Sequence, residues 1–426
     1  MNGSLVPTNW TRFRFGSLAF LRAASLLGVL LLLDVGAVSG QFTLYEREGR
    51  SLEVGGYVRS LTQLYDPGYD IPGTDRPSGI HAEVVRLKWK LRLGDSFILE
   101  AHNRILGQVS SDPTDTGGSV VGFGVSAVPG RSVDLSSAWV EEDRLRVWHD
   151  IDRLSLTIYS GLGDLTVGRQ AITWGISNLF PVVDLWAQFS PFELDTEEKP
   201  GIDAIRILSY PGDGLELDAV VADRGSSEDL SAGIRAGLSL SWADLYLGAG
   251  KFWNQAMGLA GISAPVGSWK VRAEGVLPYD LDEEDTNLPR MTLGLDWLGG
   301  EVMLSGEYHF NGIGAKTPVG YIEVLQDERF SRGESYFLGR HYLGGMGSWT
   351  PGNDRLSLSL VTLWNLQDPS SAFVPNLTYD VGQSTRISAG AMISFGDTPI
   401  LAPPPTLRSE YGSYGDFAYT MLSVYF

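Results

Sequence analysis

From Val85 to Leu93, apolar and basic residues alternate without a break: Val85, Leu87, Trp89, Leu91 and Leu93 take one set of positions, Arg86, Lys88, Lys90 and Arg92 the other. A period of two belongs to an extended strand whose two sets of side chains face opposite ways. The alternation returns with small polar residues on the second face, as in Leu356, Leu358 and Leu360 against Ser357 and Ser359. It returns again in Ile387, Ala389, Ala391, Ile393 and Phe395 against Arg386, Ser388, Gly390 and Ser394. Runs of this kind predict about eighteen strands. They span 51–65, 80–93, 96–108, 151–160, 164–174, 201–210, 214–222, 230–241, 244–253, 256–264, 268–278, 290–298, 301–311, 336–349, 355–366, 373–380, 384–396 and 415–426.

The connections fall into two classes. Tight turns are predicted at Gly94-Asp95, Leu162-Gly163, Pro211-Gly212-Asp213, Pro265-Val266-Gly267, Gly299-Gly300 and Pro351-Gly352-Asn353-Asp354, all built from residues that favour reversals. Long connections cover 66–79, 109–150, 175–200, 279–289, 312–335 and 397–414. Counted along the chain, every tight turn falls on one side and every long connection on the other. A transmembrane, antiparallel, up-and-down β-barrel has this parity, with both termini on the turn side. A barrel is also the only form in which strands can cross hydrocarbon, because each unpaired backbone group there costs several kcal/mol. A soluble sandwich or solenoid also alternates, but it leaves the parity unexplained. About eighteen strands enclose more space than side chains fill, so the reading implies a lumen.

The two ends agree. Arg12, Arg14 and Arg22 precede the apolar run LLGVLLLL (26–33), and small residues AVSG follow before Gln41, the layout of a secretory signal peptide. Residues 1–40 are therefore expected to be removed, leaving 41–426 as one barrel domain. The final stretch, FAYTMLSVYF, alternates and stops on Phe426. It resembles the C-terminal signal of bacterial outer-membrane barrels, which the barrel-assembly machinery recognises.

Composition narrows the functions. There is no Cys, and the five His never form a metal-ligand pair, so thiolate chemistry and a zinc site are not expected. Without residues 1–40 the chain holds 29 basic against 50 acidic residues, a net charge of −21, which argues against nucleic acid. No G-x-S-x-G, H-E-x-x-H, P-loop or dinucleotide fingerprint occurs, so neither an enzyme nor a bound cofactor is expected. The acidity is local: connections 109–150, 175–200 and 279–289 hold 17 acidic against four basic residues, densest in DLDEED (280–285). That patch fits a solvated loop, with divalent cations or bridged lipopolysaccharide phosphates as the sharper alternative.

Cations on a lipid-facing row would cost about 2 to 4 kcal/mol each at mid-membrane. Arg86, Lys88, Lys90 and Arg92 are therefore expected to line the lumen as a ladder roughly 20 Å long. The same phase argument turns Arg153, Arg235, Lys270 and Arg272 inward, together with the acids Glu216, Asp218, Glu274 and Glu307. Such a strip either attracts anions and passes them between weak sites, or pairs with lumenal carboxylates and braces the wall. The stretch VGRQAITWGISNLFPVVDLWAQFSPFE (167–193) is too apolar to lie free in water. It is expected either to fold into the lumen as a constriction or to pack over the rim. Leu165 and Val167 suggest one phase, Ile172 and Trp174 the other, and a bulge near Gly168 would reconcile them.

G-R-Q-x-x-x-W-G at Gly168 to Gly175, with Pro181 and Asp184 after it and SEYGSYGDF before the last strand, resembles a group of uncharacterised bacterial outer-membrane porin-like proteins. More distantly it is similar to the alginate-export type of barrel, which has eighteen strands and a basic lumen. The resemblance implies an outer-membrane channel, and with the basic ladder the reading is passive passage of small solutes with a preference for anions. Its cationic lumen would fall on Arg86, Lys88, Lys90, Arg92 and Arg169, and its motif marks Trp174 and Asp184. The lumenal acids count against a polyanion. A non-conducting barrel with a structural, assembly or attachment role is the alternative. Outer-membrane lipid, lipopolysaccharide and further copies of the chain are the other partners such a barrel would meet.

Overall fold

Each run of alternation is a strand in the computed structural model, which describes residues 41–71, 77–112, 130–190, 192–226, 228–352 and 354–426. The expected signal peptide lies outside these residues, as do Asn353 and parts of the connections 66–79 and 109–150. The eighteen barrel strands are Arg50–Asp66 (β1), Ser78–Leu93 (β2), Phe97–Ser110 (β3), Leu145–Ser160 (β4), Gly163–Gln170 (β5), Ile202–Gly212 (β6), Leu215–Ala222 (β7), Ser231–Ser239 (β8) and Asp244–Phe252 (β9). They continue as Gln255–Val266 (β10), Trp269–Asp280 (β11), Arg290–Gly299 (β12), Val302–Asn311 (β13), His341–Trp349 (β14), Leu356–Asn365 (β15), Ser370–Asp380 (β16), Thr385–Phe395 (β17) and Asp416–Tyr425 (β18). Each pairs antiparallel with its sequence neighbours.

The barrel closes between β1 and β18, from Tyr57 opposite Tyr425 to Asp66 opposite Asp416. Closure leaves no open edge in the apolar zone. At the lower end of this seam Phe426 exchanges two backbone hydrogen bonds with Gly56, at 2.7 and 3.0 Å. A side chain at Gly56 would put its Cβ 2.0 Å from the Arg86 carbonyl oxygen, so only glycine fits. Below Phe426 the edge of β1 is covered by a short strand, Phe42–Arg47, whose Phe42 lies opposite Val54.

The outward row is apolar all round the barrel: Trp89, Leu154, Ile205, Ile234, Leu247, Leu277, Leu293, Leu360 and Ile387 are all exposed. An apolar belt this extensive is far larger than a soluble monomer tolerates and suits a hydrocarbon surround. Inward residues range from buried at mid-height to partly exposed at the turn end, and on several strands their character changes along the axis. Toward the turn end they are charged, as Lys88, Lys90 and Arg92 on β2, Arg206 on β6 and Arg272 on β11. Toward the loop end they are mostly apolar, as Ile80, Ala82 and Val84 on β2, Ile202 and Ala204 on β6, and Val220 and Ala222 on β7. On other strands polar residues continue to the loop end, as Gln108 and Ser110 on β3, Arg290 on β12, and His309 and Asn311 on β13, all buried.

Several boundaries differ from the sequence reading. β4 starts at Leu145 rather than 151 and pairs with an extra strand, Ser136–Glu141, so part of the expected loop 109–150 is a hairpin above the wall. β5 ends at Gln170 rather than 174, and its register is unbroken through Gly168 on both sides. The expected bulge is absent there: Ile172 and Trp174 change phase because the chain has left the strand. A bulge does occur on β4, where His102 pairs with Arg153 and Asn103 with Ile151, leaving Asp152 without a partner across the ladder. It turns both Asp152 and Arg153 inward. β14 starts at His341, not 336, and the connection before it carries two short helices, Tyr321–Gln326 and Glu328–Ser331.

Candidate functional site

The third long connection, described over residues 171–190 and 192–201, runs inside the barrel and is gripped by the wall at mid-height. It leaves β5 and drives Trp174 against the inner face of β7 and β8, where the indole Nε1 donates to Asp218 at 2.8 Å and Arg235 donates to the Trp174 carbonyl at 3.0 Å. At β11 the Ile176 N–H donates to Glu274 at 2.6 Å, and Arg272 donates back to the Ile176 carbonyl at 2.9 Å. At β13 three successive backbone N–H groups, of Asn178, Leu179 and Phe180, converge on Glu307 at 2.7, 3.0 and 3.0 Å. Hydrogen bonds to an ionised acceptor are worth about 1.5 to 3 kcal/mol each.

Two apolar clusters complete the grip. Ile172, Trp174, Val182, Val183 and Trp186 pack on the upper inner wall of β6, β7 and β9 to β11, with Trp174 and Trp186 edge to face at 5.0 Å. Phe180 stacks on His309 at 4.9 Å and meets Phe337 and Tyr342. Glycine makes both contacts fit: a Cβ at Gly233 would stand 3.0 Å from the Trp174 ring, and one at Gly344 2.7 Å from Phe180.

The returning half of the segment is held by charge of the opposite sign. Asp195 and Glu197 pair with Arg59 of β1, Glu198 pairs with Lys88 of β2, and Arg153 donates to the Lys199 carbonyl. Lys199 itself closes the segment on Asp184 and on the Ile172 carbonyl. Burial pushes the Asp184 carboxyl up and the Lys199 ammonium down, and each partner offsets the other's penalty.

These contacts place every residue expected to line the lumen. Arg86, Lys88, Lys90 and Arg92 all face inward, and each has a carboxylate: Arg86 meets Asp152 at 2.7 Å, Lys88 meets Glu198, Lys90 meets Glu100 at 3.2 Å, and Arg92 meets Glu53 at 3.4 Å. Arg235 pairs with Glu216 at 2.6 Å, and Arg272 with Asp296 at 2.6 Å and Glu307 at 2.8 Å. Lys270 is exposed at the turn end of β11. Arg169 is 2% exposed and stands apart from the basic row, bordering the internal cavity described below. It sits opposite outward-facing Leu154 at the end of β5, held by Asp203 at 2.8 Å and by the carbonyls of Ile151 and Val133. These contacts tie Val133 to the end of β5. Trp174 and Asp184 are buried braces within the internal segment, and Phe426 closes the seam described above.

Between the segment and the walls of β2 to β4 lies a cavity of about 840 Å³, whose far side is formed by 330–336 of the helical connection. Tyr336 donates to the Gln188 carbonyl at 3.1 Å, so the two inward-folded connections touch. Arg86, Arg104, Asp150, Asp152, Glu193, Glu198, Arg224 and Glu334 border the space. Arg224 and Glu334 carry no phase signal, since both sit in connections. Arg224 lies over the rings of Trp186 and Trp253 at 5.9 and 5.1 Å, and burial pulls its pKa down to about 10. Among the described residues no group of three or more His, Asp or Glu is placed to hold a metal ion.

No protein-family model matches the sequence, and neither does any curated protein. Solved structures do share the fold. OccAB2 of Acinetobacter baumannii superimposes with a TM-score of 0.57 over 88% of this chain and 98% of its own, at 9% identity. OccK9 (OpdG) of Pseudomonas aeruginosa gives 0.54 over 88% and 97%, at 12% identity. A BenF-like porin from Pseudomonas fluorescens Pf-5 gives 0.52 over 88% and 98%, at 11% identity. The chain has the fold of an outer-membrane porin. At such identities the shared object is the barrel, and the residues inside it are this chain's own.

Proposed function

We propose that the protein is a passive channel of the bacterial outer membrane for small hydrophilic solutes. The closed barrel with its apolar belt supports the membrane setting, and the cavity between the two inward-folded connections, bordered by charged side chains, carries the channel reading. The barrel-assembly machinery would read β18 through Phe426, and lipid and lipopolysaccharide would surround the belt. The test is electrical. Purified protein that shows the heat-modifiable gel migration of a folded barrel is reconstituted in planar bilayers, where stepwise conductance is expected; folded protein that never conducts overturns the reading.

Preference for anions, expected from the basic ladder, has lost its main support, because all four cations already have carboxylate partners. Reversal potential in a salt gradient measures it, and a value near zero is the expectation from a charge-paired wall. One observation favours a second reading, a plugged barrel with a structural or attachment role: the internal segment buries Phe180, Trp174 and Trp186 against opposite sides of the lumen. Absence of conductance together with an intact fold would select that reading.

A further inference from the structure

We propose that Glu274 and Glu307 are positioning residues that set the aperture of the lumen, acting as two latches on the internal segment. The inference rests on the channel reading for its consequence, though not for its geometry. Both carboxylates are on the inner wall and nearly inaccessible, at 4% and 2% exposure. Neither is spent on bracing strand to strand alone: Glu307 accepts the N–H groups of Asn178, Leu179 and Phe180, and Glu274 accepts those of Ile176 and, more distantly, Val183 at 3.5 Å. Successive backbone N–H groups that point to one spot form a concavity that recognises an anion. Here the anion is supplied by the wall, so the arch 176–183 is docked as a ligand would be.

Side chains around the arch keep those acceptors in place. Arg272 bridges Glu307, Asp296 and the Ile176 carbonyl, and Tyr246 donates to Glu274 at 3.1 Å. On the other side of the arch stands the cavity, which Asp184 and Trp186 border immediately after Val183. Movement of the arch off its latches therefore changes the width of the remaining passage. The ladder hydrogen bonds of β11 and β13 use backbone groups alone, so the latches can be removed while the barrel stays closed.

The experiment uses full-length protein with Glu307→Gln, Glu274→Gln, the double variant, and Glu100→Gln as a control whose partner Lys90 is remote from the arch. Heat-modifiable migration checks the barrel. Amide exchange is read at 176–183 and single-channel conductance in planar bilayers. Loss of a charge-assisted hydrogen bond corresponds to at least about tenfold faster exchange, expected at 178–180 in Glu307→Gln and at 176 in Glu274→Gln, with higher conductance in the double variant and no change in the control. Unchanged exchange in a folded double variant overturns the latch. Faster exchange at unchanged conductance overturns the link to aperture. A wild-type protein that never conducts, beside variants with faster exchange, removes the channel reading and keeps the latches; conduction appearing only in the variants identifies the arch as a plug. If the double variant does not fold, Glu274→Gln alone, read at Ile176, decides the same question.

Discussion

On β2 the inward row reads Arg92, Lys90, Lys88, Arg86 from the turn end to mid-height, and Val84, Ala82, Ile80 from there to the loop end. The two halves of one row meet different neighbours. Arg92 and Lys90 find carboxylates on the adjacent strands, Glu53 and Glu100, and Arg86 reaches past β3 to Asp152 of β4. Val84, Ala82 and Ile80 instead join an apolar cluster with Leu61, Leu106 and Phe180 of the internal segment. On β2, then, paired charge takes the turn-side half of the inward row, and apolar side chains take the loop-side half where the internal segment packs on them. Along this strand a residue's height matters as much as its phase.

Disturbing the charged half at its upper limit should have the largest effect. Asp152→Ala leaves Arg86, 1% exposed, as a buried cation without its carboxylate, and breaking such a pair costs about 3 to 5 kcal/mol; thermal unfolding in detergent should show a lower transition than wild type. The apolar packing is tested by Ile172→Ala, in the apolar cluster of the internal segment. It should cost about 2 to 5 kcal/mol and speed proteolytic cleavage within 171–201 while β-barrel migration persists. Equal costs for this variant and for an outward Leu→Ala such as Leu247→Ala would show that the upper lumen is not packed.

A smaller effect is expected from pH at the loop end. Glu410 is buried in the connection before β18, where it accepts from the Leu338 N–H, Tyr342, Tyr414 and Asn365 beside Asp368. Burial pushes its pKa up to about 7. A carboxyl raised above its unfolded value stabilises the fold fully below that unfolded value, near 4.5, and loses the contribution as pH rises through about 7. Amide protection factors at 409–414, with the hydroxide dependence of intrinsic exchange divided out, should fall between about pH 5 and pH 8, and Glu410→Gln should remove that fall. The smallest effect belongs to the turn end. Lys90→Gln and Arg92→Gln break pairs that are partly exposed on both sides, worth about 0 to 1 kcal/mol. Their unfolding transitions should match wild type, and a large shift would mean that the turn-side half is as tightly built as the loop-side half.

Much of this was legible in advance for a simple reason. Period-two alternation in Val85 to Leu93 needs only the covalent geometry of a strand and a solvent contrast across it, so strand existence, phase and the parity of the connections followed without tertiary information. Where both faces carry apolar residues the contrast disappears, which hid the apolar upper lumen at Ile80 to Val84 and left the end of β5 misplaced by four residues. Arg59 also escaped notice, because Tyr57, Leu61 and Gln63 share its row and give no clear phase.

Alternation and closure, then, are properties of the sequence by itself: eighteen strands, an apolar belt, an inward basic row on β2, and an aromatic residue at the seam. Which partner each inward charge meets was decided only in three dimensions. Glu198 lies 110 residues beyond Lys88 in the chain, and Glu307 is 127 residues beyond Phe180; nothing local encodes such pairings, because they depend on one segment turning inward and following the curve of a closed wall. The four cations that open the pattern are thus fixed in direction by periodicity, and in occupation by the fold.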